Sequence, residues 1–268
     1  MTAVIAIGNQ KGGVGKTTTA INLAGYFARQ GQRVLVLDLD GQGHVATSFG
    51  MPKANGLYRL LAMEEPVSDV AVKARENVWI VPNDHTGEMA KEHVKQANFR
   101  EYMLANVLED VDGYDVVLID TPPSTDVLHV LALVASDFAI IPANLDHLAL
   151  DGVNYILRTL KTLGRYPGVT PPVLIGVLPT MHDKVTTATV RNAQLLQQTI
   201  GPDLILPPIP RDTKVREASE VGQTLWEFAP RCQAAIGFKN GAPQRNSEGL
   251  IGGYLHLAEI TESFLKTK

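Results

Sequence analysis

The sequence predicts an α/β protein: one doubly wound, mostly parallel sheet flanked by helices, in a single domain over residues 1–268. Three observations predict it. Short apolar runs rich in Val, Ile and Leu read as strands covered on both faces, the pattern of a buried parallel sheet. Longer stretches with helical character alternate with those runs. The connections are short, which favours successive strand–helix–strand crossovers in one layered unit.

Taken in order, strands are expected at Val4–Gly8, Arg33–Asp38, Val78–Pro82, Asp115–Asp120, Phe138–Pro142, Val173–Leu178 and Leu204–Leu206. Behind the first strand, Ala20, Leu23, Ala24, Phe27 and Ala28 recur at i, i+3, i+4, i+7 and i+8, one apolar helical stripe that Gly31 ends. Further helices are expected over 98–110, 147–163, 186–200 and 250–266. The stretch GFKNGAPQRNSEGLIGG (237–253) is polar and glycine-rich; it reads as a surface loop, with partner docking as the alternative. The first strand begins at once, so no N-terminal helix-turn-helix is expected.

Hydrophobic residues make up 45% of the chain and charged residues 19%, enough apolar material for a sizeable core. The net charge of −4 gives no global attraction to nucleic acid or an acidic membrane, so any such binding needs a local patch. A single cysteine, Cys232, excludes an internal disulfide and a cysteine-cluster metal site. No run approaches the roughly 20 apolar residues of a membrane span, and the N-terminus lacks a secretory pattern. A cytoplasmic location is the expectation.

The chemistry begins at Asn9–Thr18, NQKGGVGKTT. Gly15, Lys16 and Thr17 fit the second half of the phosphate-loop pattern G-x-x-x-x-G-K-[ST]. Gln10 stands where the first glycine belongs, and a second lysine, Lys11, follows it. Along Gly12-Gly13-Val14-Gly15 the glycines let backbone N–H groups approach phosphate oxygens, and the helix starting near Lys16 points its positive end at the same anion. Lys16 is expected on the β- and γ-phosphates, Thr17 on Mg²⁺ and Thr18 at the α-phosphate. Two acidic strand ends converge on this loop: VLVLDLD, ending at Asp38 and Asp40, and YDVVLIDTPP, with Asp120. Mg²⁺ favours oxygen ligands and retains waters, so Asp38 and Asp120 are expected to act on it through water. Acids at strand ends also cap turns, which is the competing reading.

These motifs resemble the deviant Walker A class of P-loop ATPases, most closely its ParA branch of DNA-partition proteins. KGGVGKTT carries the class's signature lysine as Lys11. LDLDGQGHVATSFG is similar to the branch's D-x-D-P-Q-G-N-A-T motif, VVLIDTPPS to its Walker B, and GVLPTMHD and IPRDTKVREASEVGQTLWEFAP to its C-terminal half. Gly41 and His44 depart from the usual Pro and Asn. The resemblance runs from residue 2 to about 230.

The resemblance implies an ATP-dependent homodimer with two nucleotides buried face to face, and Lys11 reaching the partner's phosphates. The physics agrees, because two facing triphosphates need extra cations between them. It further implies that Asp40 orients the attacking water, that Asp146 and Asp151 face the partner, and that Thr180, Met181, Pro210 and Arg211 line the adenine pocket. Non-specific double-stranded DNA would be held by basic residues of the C-terminal half, here Lys184, Arg191, Arg211, Lys214 and Arg216, which neutralise phosphates without reading bases. A ParB-like or other cargo adaptor would stimulate hydrolysis, with the protein associated with the nucleoid. The alternative is a MinD-like membrane ATPase, which requires a basic amphipathic C-terminal helix. The last helix carries Glu259 and Glu262 in its middle, so no membrane partner is expected. An electron-transferring relative would need paired cysteines, which this chain lacks.

Overall fold

The computed structural model describes residues 2–124, 126–145, 149–182, 187–237, 245–246, 249–250 and 252–268. β1 (Ala3–Ile7) leads into α1 (Lys16–Arg29) and β2 (Val34–Asp38). Then come α2 (His44–Ser48), α3 (Gly56–Ala62), α4 (Val67–Val70), β3 (Val72–Arg75) and β4 (Val78–Val81). α5 (Gly87–Gln96) and α6 (Met103–Glu109) precede β5 (Val116–Asp120), α7 (Val127–Val134) and β6 (Phe138–Asn144). α8 (Ala149–Leu163), β7 (Val173–Thr180) and α9 (Thr187–Ile200) complete the crossovers. The chain ends in α10 (Thr213–Glu220), α11 (Leu225–Phe228), α12 (Gln233–Ile236), the ribbon of β8 (Arg245–Asn246) with β9 (Gly249–Leu250), and α13 (Gly253–Leu265).

Seven strands form one sheet in the order β3-β4-β2-β5-β1-β6-β7, parallel except for β3 on β4. Successive side chains of a strand point to opposite faces, and the central strands are apolar on both. Ile5 and Ile7 join α1 and the C-terminal helices on one face, while Val4 and Ala6 join α3, α5 and α7 on the other. A smaller cluster seats α8 and α9 on β6 and β7 through Val153, Ile156, Ile141, Val177 and Leu196. Register then sets the functional end of the sheet. Ile7 and Asp38 both lie opposite Asp120, so β1, β2 and β5 finish level with one another. Among the described residues no helix is long and apolar enough to cross a membrane.

Predicted and observed elements differ where local signals were weak. Leu204–Leu206 is not a strand: Pro202–Leu204 form a 3₁₀ turn, and Ile205 makes one isolated bridge to Val177. Pro207, Pro208 and Pro210 lack the N–H donors that a longer ladder needs. The 98–110 segment divides into a 3₁₀ turn at Arg100–Tyr102 and α6, after Phe99 adopts a left-handed φ of 53°. β3 was not expected, because its residues are exposed or half-buried and carry no apolar run.

One buried side chain couples α1 to the C-terminal half. Asn22 accepts the Leu225 N–H at 2.9 Å through Oδ1, and its carbonyl accepts the Trp226 indole N–H at 2.7 Å. Asn22→Ala leaves the Leu225 N–H unpaired in the interior, a loss of about 1–3 kcal/mol. A lowered denaturant midpoint with an unchanged slope is the expected result in equilibrium unfolding.

Candidate active site

The loop after β1 closes onto α1 through Gly15, whose φ of 89° is left-handed and favours glycine. No side chain caps α1 and no acidic residue lies in its first turn, so its leading N–H groups face the loop uncompensated. Such an end suits a phosphate and is built from backbone alone.

Lys16 opens α1 and is only 7% exposed. Its Nζ donates to the Lys11 carbonyl at 3.1 Å. Burial lowers its pKa, against the charges of Asp120 and Asp40, which hold the ammonium form. Thr17 Oγ1 donates to Asp120 Oδ2 at 2.6 Å. Asp120 is fully buried, and its other oxygen, Oδ1, has no hydrogen-bond partner among the described residues. Burial pushes the Asp120 carboxyl up to about 7, opposed by the Thr17 hydroxyl and the Lys16 charge.

Asp38, also fully buried, accepts N–H bonds from Asp40 and Val45, each at 3.0 Å. Its pKa is raised by burial and by the neighbouring Asp120, while the two N–H donors pull it down. Asp38 thus shapes the β2–α2 loop, and Asp40 is presented from that loop with Oδ1 accepting the Gln42 N–H at 3.0 Å. An unpartnered oxygen on Asp120, beside a threonine hydroxyl and a lysine, is a donor set that fits a hard cation and the phosphates it accompanies. Asp120 and Thr17 would hold Mg²⁺, with Asp38 behind them.

The remaining expected residues divide into groups. Thr180 Oγ1 donates to the Val14 carbonyl at 2.8 Å, tying β7 to the phosphate loop. The Met181 segment lies beside Pro210 and Arg211: the His182 N–H bonds to Ile209 O at 2.9 Å, and the Arg211 N–H to His182 O at 3.0 Å. Thr180 therefore borders the phosphate loop, while Met181, Pro210 and Arg211 lie together on the segments that follow β7. Arg211, Lys214 and Arg216 cluster at the start of α10, whereas Arg191 is exposed on α9, a separate element. Lys214 pairs with Glu217 at 2.6 Å and Arg216 with Glu220 at 3.3 Å, which moderates the basic face. Asp151 is exposed in the first turn of α8. Lys184 and Asp146 lie outside the described residues.

Sequence reasoning passed over Asn9 and His129. Asn9, 1% exposed, accepts the Lys11 N–H at 3.0 Å, a contact signalled only by an Asx residue two positions before the extra lysine. His129 is fully buried, with neither ring nitrogen bonded among the described residues, and burial holds its pKa down near 4. Nothing in its helical apolar context marked it.

Asp120 supplies a test of the site's electrostatics. Its folded pKa of about 7 lies above the ordinary 3.8, so the folded state holds the proton longer than the unfolded chain. The associated stability is full below the lower value and lost as pH rises through about 7. Asp120→Asn removes that loss. The melting temperature of the nucleotide-free variant is expected to exceed wild type by more at pH 8 than at pH 5.

Comparison with known proteins agrees with this geometry. The AAA domain family matches residues 2–168. The chromosome-partitioning ATPase Soj of Thermus thermophilus is 36% identical over 241 residues, covering 90% of this chain and 94% of that protein. Apo McdA from Cyanothece shares the fold, with a TM-score of 0.79 at 22% identity over 86% of this chain and 94% of its own. Cobyrinic acid a,c-diamide synthase of Mycobacterium smegmatis, solved with an ATP analogue and magnesium, gives a TM-score of 0.73 at 32% identity over 86% and 94%. With a phosphate loop after β1, acids at the ends of β2 and β5, and Soj-like sequence along nine-tenths of its length, the chain belongs to the ParA/Soj family of P-loop partition ATPases.

Proposed function

We propose that this protein is an ATP-hydrolysing partition or positioning ATPase that works as a nucleotide-sandwiched homodimer on non-specific double-stranded DNA. The observation that carries the reading is the division of the two lysines on one loop. Lys16 is buried over its own phosphate site, whereas Lys11 sits on the rim, half-buried, with its carbonyl holding Lys16.

In this reading Lys16 and the N-terminus of α1 bind the β- and γ-phosphates of ATP. Lys11 of the partner subunit meets the same phosphates across the interface, with Asp146 and Asp151 facing the partner. A bound Mg²⁺ supplies charge neutralisation on the phosphate oxygens. Asp40, on the loop shaped by Asp38, orients the attacking water. Thr180, Met181, Pro210 and Arg211 surround the adenine. ATP closure aligns two copies of the basic face formed by Lys184, Arg191, Arg211, Lys214 and Arg216 on DNA. An adaptor protein of ParB type, carrying a plasmid, chromosome or protein assembly, stimulates hydrolysis and releases the dimer from the nucleoid.

The ATP analogue and magnesium bound by the diamide synthase on the same fold support the choice of ligands. The MinD-like alternative finds less support in the C-terminal helix. α13 buries Tyr254, Leu257, Ala258 and Thr261 on the protein body, which leaves Glu259 and Glu262 rather than an apolar stripe for a membrane.

Separate behaviour of the two lysines is the decisive experiment. Lys16→Ala is expected to abolish nucleotide binding. Lys11→Ala is expected to keep binding a fluorescent ATP analogue while losing both the Mg-ATP dimer, by light scattering, and its hydrolysis. Identical behaviour of the two variants would end the sandwich reading.

The DNA face has its own signature. Replacing Arg211, Lys214 and Arg216 together by Ala is expected to flatten the plot of log affinity against log salt by about 2–3 units per subunit. An unchanged slope would place the DNA face elsewhere.

A further inference from the structure

We propose that Asn9 is a positioning residue that fixes the direction of Lys11, and that Gly152 on α8 holds Asn9 in place. The inference rests on reading Lys11 as the lysine that serves a facing nucleotide.

Asn9 leaves β1 into the interior rather than toward solvent, and its carboxamide joins two elements. Nδ2 donates to the Pro142 carbonyl on β6 at 2.8 Å, and Oδ1 accepts the Lys11 N–H at 3.0 Å. The next group along the chain, the Lys11 carbonyl, accepts Lys16 Nζ at 3.1 Å. The Lys11 residue is thereby held by its N–H from below and by its C=O from the home phosphate site. A lysine side chain is a flexible four-carbon stem with a point charge at its end. A fixed backbone at its root limits where that charge can reach.

Gly152 closes a further side of the Asn9 carboxamide. A Cβ at that position would lie 2.3 Å from Asn9 Oδ1, and 3.2 and 3.3 Å from its Cγ and Nδ2. No side chain fits unless Asn9 moves. Glycine disfavours a helix interior, so its presence inside α8 is matched by this close approach. Because Gly152 follows Asp151 in the first turns of α8, a shift of that helix moves Asn9, and through it the Lys11 peptide.

The experiment uses the full chain with Asn9→Ala, Asn9→Ser, Gly152→Ala and the Asn9→Ala/Gly152→Ala double variant. Hydrogen exchange over residues 9–13 is read in nucleotide-free protein, then affinity for a fluorescent ATP analogue, kcat and the Mg-ATP dimer. Asn9→Ala is expected to speed exchange at Lys11 and lower kcat by roughly tenfold each, the factor one net hydrogen bond is worth. Its nucleotide affinity is expected to stay within about threefold of wild type, since the Lys16 site is intact. Asn9→Ser keeps an oxygen able to accept from the N–H two residues on, and recovers part of both losses. Gly152→Ala reproduces the Asn9→Ala behaviour, and in the double variant it adds nothing, because the atom it would strike is gone.

Wild-type exchange and turnover in Asn9→Ala, additive losses in the double variant, or affinity falling as far as kcat would each overturn the proposal. Melting curves separate these results from unfolding, and Asn9→Ser and Gly152→Ala stand in for an unfolded Asn9→Ala. A wild-type protein that stays monomeric with Mg-ATP would sink the sandwich reading alone. The exchange data and the Asn9–Gly152 coupling would still decide whether Lys11 is positioned this way.

Discussion

The buried contact between Thr17 and Asp120, with Lys16 alongside, is the constraint on which the rest of the structure depends. Two carboxylates, Asp38 and Asp120, sit opposite one another in the β2–β5 register and are wholly removed from water. One buried ammonium does not balance two buried acids, and effective desolvation penalties are several kcal/mol per ion. Burial accordingly raises the pKa of both carboxyl groups. A cation and an anionic ligand arriving together would restore the balance. The sheet thus carries an electrostatic cost that a ligand removes, and the cost is concentrated where β1, β2 and β5 end. Apolar packing on both faces of the sheet holds the cluster together in the absence of that ligand.

The same balance bears on the proposed DNA binding. The molecule is acidic overall, and two of the three cations at the start of α10 are partnered by glutamates on their own helix. A single face of this kind neutralises few phosphates, and each phosphate contributes a fixed, salt-sensitive increment. In the proposed dimer two such faces would bind as a linked pair, with the second contact made at high effective concentration. Weak faces therefore suit a switch better than strong ones. Binding that needs two copies is lost when the dimer opens, whereas a strongly basic monomer would stay on DNA in either nucleotide state.

Much of this was legible in the sequence, for a physical reason. Strands buried on both faces must be apolar at every position, and phosphate loops need glycine and lysine at set spacings, so β1, β2, β5, β6 and the Gly12–Thr18 loop announce themselves locally. The convergence of Asp38 and Asp120 was equally legible, because both close such strands. What stayed hidden depends on partners distant in sequence. Leu204–Leu206 has strand composition, but the prolines after it limit its pairing to one bridge. β3 forms because β4 offers it an edge, not because Val72–Arg75 has a pattern of its own. Asn9 reads as one polar residue in a motif until Pro142 and Gly152, more than 130 positions away, are seen against it. Lys214 and Arg216 read as free basic charges until their glutamate partners on the same helix turn are seen.

The two departures from the family pattern, Gly41 and His44, acquire a physical reading from their surroundings. The contacts that shape their loop come from other residues: Asp38 accepts from Asp40 and Val45, and the Gly43 N–H bonds to Asp40 O at 2.9 Å. His44 is exposed at the start of α2 and takes no part in the core. At Gly41 a Cβ would meet only the Asp84 carbonyl, at 3.5 Å, an ordinary contact. Nothing steric demands glycine there, so its effect falls on flexibility. Proline fixes φ and glycine leaves it open, and ordering a glycine costs about 0.5–1 kcal/mol more than ordering alanine. That cost falls on the residue next to Asp40. If Asp40 orients the attacking water as proposed, that step would be slowed about two- to fivefold relative to a chain with a less flexible residue such as alanine there. Nucleotide binding through Lys16 and the α1 N-terminus, as proposed, would be untouched. In the proposed cycle the glycine would lengthen the time before hydrolysis without weakening the hold on nucleotide, a direction of change that a positioning cycle tolerates.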